Sequence, residues 1–209
     1  HAFDGAPTER DPSPIAYEDD EESSLSVLTA FSATASQLHG SIDTVAYQQA
    51  YRGTTYDKEA YVYVPDTYSP DSPVYLTHGW QGSAEGLAEG IAPVVDHLTD
   101  SGQLSPTLVV FATYYPDRSF ATDDYEDDYE LNRFFATTEI DTVIDRVEST
   151  YTTFAHGDTS DQSLRDSRTH RAFGGFSMGA TTTWDVFSMR PQYFYGYMPM
   201  AGESWIGRA

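Results

Sequence analysis

Six residues late in the chain, Gly174-Gly175-Phe176-Ser177-Met178-Gly179, constrain its fold more than any other feature. Apolar Ala172-Phe173 precedes them, and Thr181-Thr182-Thr183-Trp184-Asp185-Val186-Phe187 follows with helical character. Small residues two positions either side of a serine suit an abrupt strand-to-helix turn, because the two backbones approach without a Cβ clash. At such an apex the serine hydroxyl projects above a sheet. The amide of Met178 then faces the space where an oxyanion would form, near a helix N-terminus. The pattern predicts a strand over 171–176, a nucleophile at Ser177 and a helix over 181–189.

A turn of this kind needs a buried, mostly parallel sheet, and the preceding sequence supplies the parts. Residues 41–51 and 56–64 are rich in β-branched and aromatic side chains and flank Arg52-Gly53-Thr54-Thr55, which predicts an antiparallel hairpin closed by Pro65. Short apolar strands are expected over 74–77, 107–111 and 195–200. Apolar residues three and four apart predict helices over 84–99 and 130–151. Helices alternating with short buried strands imply parallel pairing with right-handed crossovers. The fold class expected is α/β, a three-layer sandwich with a mostly parallel sheet and an N-terminal antiparallel hairpin. His78-Gly79 ends one strand, and the loop after it is expected to offer a second oxyanion amide from Trp80 or Gln81.

Composition excludes several classes. The 209 residues carry 33 acidic and 11 basic side chains, a net charge of -22. Lys58 is the sole lysine and the arginines are scattered, so no basic patch exists to bind nucleic acid. No apolar run reaches the length of a bilayer span, so no membrane partner is expected. With zero cysteines there is no thiol nucleophile, disulfide scaffold or iron–sulfur cluster. The charge is uneven: residues 1–24 carry a net -7 and residues 117–130 a net -6. Residues 1–40 read as an acidic arm and lead-in, with a short helical stretch over 23–38 as one option, and residues 41–209 as the folded domain. The first residue is His1, which fits a removed signal peptide or trimming at expression, and the acidic exterior suits a secreted protein.

The base that would activate the serine is the missing part. His1, His39, His78, His97, His156 and His170 all precede Ser177, whereas nucleophile-elbow hydrolases run in the order serine, acid, histidine. Only Asp185 and Glu203 supply acids after the serine. The first lies within the following helix and the second follows the last strand. A C-terminal portion, continuing this chain or present as a separate fragment of the same protein, is the expected source of the acid and histidine.

The chain resembles the feruloyl (cinnamoyl) esterases of the esterase-D-like α/β-hydrolases, carbohydrate esterase family one. The resemblance rests on Tyr61-Val62-Tyr63-Val64-Pro65, Leu76-Thr77-His78-Gly79-Trp80, His170-Arg171-Ala172-Phe173-Gly174-Gly175-Phe176-Ser177-Met178-Gly179 and Tyr195 through Trp205. It implies catalysis by Ser177, oxyanion amides at Met178 and near Trp80, and neither cofactor nor metal. The implied substrate is a hydroxycinnamoylated carbohydrate, and residues 41–209 would then be the N-terminal and central part of the hydrolase domain. Trp80, Tyr114, Tyr115 and Trp205 fall near predicted strand ends and are candidates to contact a planar phenolic group. The run Asp123-Asp124-Tyr125-Glu126-Asp127-Asp128-Tyr129-Glu130 reads as a solvated helix entry; a calcium site or lid is the alternative. Rival readings are an S-formylglutathione hydrolase or other carboxylesterase, an acyltransferase, and a non-catalytic carbohydrate-binding protein with a hydrolase fold.

Overall fold

The structure, a computed structural model, describes residues 38–71, 74–78, 84–122 and 124–207. Nearly all of the acidic arm, including all but the last residue of the helical option over 23–38, lies outside the described residues. β1 (Ser41–Tyr51) and β2 (Thr54–Val64) form the N-terminal hairpin. Both residues between them, Arg52 (φ 48°) and Gly53 (φ 81°), are left-handed, which lets a two-residue loop match the strand twist. The tight loop starts β2 at Thr54, two residues before the expected position.

β3 (Val74–His78), β4 (Leu108–Ala112), β5 (Arg171–Phe176) and β6 (Gly196–Met200) are mutually parallel, and β2 pairs antiparallel with β4. The sheet order is β1-β2-β4-β3-β5-β6. From β3 the chain moves to one side for β4 and to the other for β5. The switch point therefore lies between the carboxyl ends of β3 and β5, where open α/β sheets form their crevice.

Register decides which side chains meet. One face carries Val62, Val110, Phe173 and Tyr197. It is covered by α2 (Asp128–Phe134), a π-helical turn over Phe135–Glu139, α3 (Ile140–Thr150) and α5 (Met178–Met189). The short α4 (Asp161–Asp166) follows α3, its N-terminus capped by the Ser160 hydroxyl accepting from the Ser163 amide; no apolar periodicity announced it. The opposite face carries Tyr63, Val109 and Phe111, packed against Ala84, Ala88, Ala92 and Val95 of α1 (Ala84–Asp100). Each valine or phenylalanine side chain among them contributes about 1.5–3 kcal/mol on full burial.

The sequence predicts one helix over 130–151, and the structure has a continuous helical run over 128–150 with a π turn at Phe135–Glu139 inside it. The extra residue in that turn brings Glu139 into the core, where it pairs with Lys58 and accepts from the Tyr47 hydroxyl at 2.8 Å. The stretch Leu38–Gly40 ahead of β1 is clasped to α1: Asp96 accepts the amides of His39 and Gly40 at 3.0 Å each and the Tyr63 hydroxyl at 2.7 Å. No helix among the described residues is long and apolar enough to cross a membrane.

Candidate active site

Ser177 is the single residue between β5 and α5. Its φ of 54° and ψ of -114° lie where side-chain-bearing residues rarely sit, at a typical strain of about 1–3 kcal/mol. Surrounding contacts hold it there. Its amide donates to the Met200 carbonyl at 2.9 Å, and its own carbonyl accepts the Ala180 amide at 2.9 Å. A Cβ on Gly175 would lie 2.5 Å from the Gly179 carbonyl, so strand and helix cross too closely for any side chain. A Cβ on Gly202 would lie 2.3 Å from the Ser177 carbonyl oxygen and 2.6 Å from Ala180 Cβ. Gly202, outside the five-residue motif, is thus the third glycine of the turn. Sequence spacing gives no hint of it, because β6 brings it there from 25 residues away.

α5 begins at Met178, immediately after the serine and three residues earlier than the predicted helix. The Met178 amide is in the first turn, whose N–H groups have no partner four residues back and point along the positive end of the helix. Ser177 itself is half-buried. Among the described residues no histidine or carboxylate hydrogen-bonds to its hydroxyl. His170 lies at the far end of β5, its ring stacked on Phe154 at 3.4 Å between centroids. His39 pairs with Asp100 at 2.5 Å near the end of α1, where His97 also lies. Trp80 and Gln81 lie outside the described residues.

The other aromatic candidates are packed rather than presented. Tyr114 and Tyr115 follow β4 at the carboxyl rim but are buried, and both hydroxyls donate to Asp128 Oδ2 at 2.9 Å. Trp205 is buried edge-on against Tyr129, with centroids 4.4 Å apart. Asp128 departs from the expected solvated helix entry: its neighbours Asp124, Glu126, Asp127 and Glu130 are exposed, while Asp128 is enclosed. Burial raises its carboxyl above the usual range, against the two tyrosine hydroxyls that stabilise its charge. Burial likewise pushes Tyr115 up to about 12. One turn along α2, Asn132 Oδ1 accepts the hydroxyl of Thr182, which ties α2 to the helix behind Ser177.

Asp185, on α5, faces Arg133, Trp205 and the 205–207 segment rather than Ser177. Burial pushes its carboxyl up to about 6, opposed by the nearby Arg133 guanidinium. Glu203 offers its backbone carbonyl to the Thr181 hydroxyl at 3.1 Å. His39, Asp96 and Asp100 are the one group among the described residues with three potential ligand atoms within 4.8 Å of one another. Asp96 already accepts three donors; although burial opposes its charge, the two amides and the Tyr63 hydroxyl hold it below the usual carboxylate range. That is the chemistry of a structural clasp.

No family model matches the chain. Endo-1,4-beta-xylanase Y of Acetivibrio thermocellus is 32% identical over 168 residues, which are 78% of this chain and 14% of the xylanase. A solved structure described as FAE is 28% identical with a TM-score of 0.66, over 87% of this chain and 60% of the other. The feruloyl esterase module from Clostridium thermocellum, solved as a serine-to-alanine mutant complexed with sinapinate, is 31% identical with a TM-score of 0.61. That match covers 83% of this chain and 58% of the module. The chain thus spans about three-fifths of these two solved structures. In architecture it has the α/β-hydrolase fold, and in sequence and structure it is similar to the feruloyl esterases.

Proposed function

We propose that this chain is the nucleophile-bearing part of a secreted serine esterase that releases ferulate or related hydroxycinnamates from plant cell-wall polysaccharide esters. The observation that carries the reading is the strained, glycine-packed junction that sets Ser177 at the start of α5. The clostridial module was solved with sinapinate, a hydroxycinnamate, which supports the acyl class. The match to a xylanase supports a plant-polysaccharide setting.

The chemistry follows from the position of the serine. A histidine takes the proton from Ser177 Oγ as the oxygen attacks the ester carbonyl carbon. The carbonyl electron pair moves onto oxygen, where the Met178 amide and an amide at Trp80 or Gln81 stabilise it. Collapse of the tetrahedral species breaks the bond to the sugar oxygen, which leaves with the histidine's proton. Water then repeats the sequence on the acyl-enzyme and frees the acid. The histidine and its carboxylate belong to polypeptide beyond this chain. Trp80 is the remaining candidate to contact the phenolic ring, while Tyr114, Tyr115 and Trp205 act as the scaffold behind the site.

A serine-directed phosphonate is expected to label the complete gene product stoichiometrically, and Ser177→Ala is expected to abolish both labelling and hydrolysis of a feruloylated arabinose ester. Absence of labelling in protein that contains its whole C-terminal region would sink the reading.

A further inference from the structure

Asp96 and Asp100 stand four residues apart at the end of α1, so both side chains leave one face of the helix. α1 runs back from the carboxyl end of β3 toward the start of β4, which is parallel to β3, so this end lies away from Ser177. The stretch ahead of β1 crosses it and brings His39. His39 and the two aspartates each offer one ligand atom, and these atoms all lie within 4.8 Å of one another. Gly40 permits the close approach, because a Cβ there would lie 2.5 Å from the Val64 carbonyl oxygen and 2.8 Å from the Tyr63 ring. Asp96 is the informative member. It is 7% exposed, yet it makes no ion pair with a lysine or arginine among the described residues. Buried carboxylates are ordinarily paired with a cation or bound to a metal. Its hydrogen bonds leave a lone pair over: Oδ1 accepts the Gly40 amide and the Tyr63 hydroxyl, whereas Oδ2 accepts only the His39 amide. The exposed Asp66 adds negative charge beside His39, and so do the last carbonyls of α1.

We propose that His39, Asp96 and Asp100 bind one divalent transition-metal ion of the zinc class, which pins the stretch ahead of β1 to the end of α1. The donor set selects the ion. One imidazole nitrogen with two carboxylate oxygens suits Zn2+, whereas Ca2+ gathers about six to eight oxygens and Mg2+ also takes oxygen ligands. Tetrahedral bonds of about 2.0–2.2 Å place donor atoms about 3.3–3.5 Å apart. His39 Nδ1 and Asp100 Oδ2 must open from 2.5 Å to reach that spacing, and their side chains, 61% and 38% exposed, have room to do so. Asp96 stays in place: the two amides and the Tyr63 hydroxyl orient it as outer partners orient a metal ligand. Water completes the coordination. The site stands on its own geometry, whether or not Ser177 is a nucleophile.

The test is calorimetric titration of Zn2+ into the untagged complete gene product after chelator treatment, beside His39→Ala and Asp100→Asn. The parent is expected to take up one equivalent that each variant binds at least about tenfold more weakly. Zn2+ at about 100 times its Kd is expected to raise the parent's melting temperature by at least about 5 °C, and Ca2+ at the same concentration to leave it unchanged. A second readout needs no variant. Carbethoxylation followed by peptide mass spectrometry is expected to show His39 protected by Zn2+ at least about tenfold, while exposed His156 reacts as before. Failure of the parent to bind zinc, uptake unchanged in either folded variant, or His39 left unprotected would overturn the proposal. An equal shift with Ca2+ would do the same, reducing the cluster to a diffuse acidic patch. Phosphonate labelling of Ser177 reports separately on the esterase reading, so either can fail alone.

Discussion

Asp128 and Asp185 are carboxyls on the two helices behind Ser177, and burial raises the pKa of both. The consequence is testable at Asp185, whose pKa rises from 3.8 to about 6. A carboxyl that holds its proton more tightly when folded stabilises the protein fully below pH 3.8, and that contribution is lost as pH rises through 6. Asp185→Asn keeps the shape and removes the charge. It is expected to raise unfolding free energy at pH 7 by about 1–2 kcal/mol, discounted for partial solvation, and to have little effect below pH 4. Urea unfolding of both proteins across pH 3.5–7.5 reads the difference. A constant gap across that range would show that burial of the charge is not the cause. Neither aspartate could be distinguished from its exposed neighbours in the sequence, because an acidic side chain is written the same way on either side of a helix.

Among the elements, the π turn between α2 and α3 shows a local rule adjusted to a distant partner. Residues 130–151 have helical periodicity throughout, yet the π turn at Phe135–Glu139 exchanges ordinary hydrogen bonding for the position of Glu139. There it meets Lys58, whose ammonium also donates to the Thr113 carbonyl at 2.8 Å. Burial lowers the pKa of Lys58 and raises that of Glu139, and their attraction opposes both shifts. The pair joins the hairpin, the loop after β4 and the helical layer. Lys58→Met leaves a buried carboxylate without its cation and is expected to cost about 3–5 kcal/mol, while Lys58→Met with Glu139→Leu is expected to recover most of that loss. Thermal melts of the single and double variants at pH 7 decide the matter; equal losses would assign the stability to packing by the lysine stem.

On the scale of the whole molecule, the net charge of -22 is the largest unbalanced term. Residues 117–130 carry a net -6, and four of their acids cluster in the exposed entry to α2. Between about 0.1 M and 1 M salt the screening length falls from roughly 10 Å to 3 Å, which removes most repulsion between exposed carboxylates. The melting temperature is expected to rise by about 2–4 °C over that range, equivalent to ~1 kcal/mol. A fall in scanning calorimetry would indicate that favourable ion pairs, such as Arg190 with Asp141 at 2.8 Å, outweigh the repulsion.

The sequence by itself determined the order of the strands and the longer helices, the hairpin turn, and the glycine-flanked serine between a strand and a helix. All three depend on neighbours a few residues apart, and periodicity and backbone sterics act over that distance. Only the tertiary structure decided that Gly202 completes the turn, that Tyr114, Tyr115 and Trp205 are packed inward, and that Asp128 is enclosed. It also decided that Phe176, Met198 and Met200 are exposed. Those properties depend on which residues meet through space, and strand register sets that for the sheet as a whole. The Gly-Phe-Ser-Met-Gly turn was legible because a strained apex tolerates few residue types beside it. A tyrosine or aspartate near a strand end is chemically suited to a pocket and to a buried hydrogen bond alike, and only its neighbours in space distinguish them.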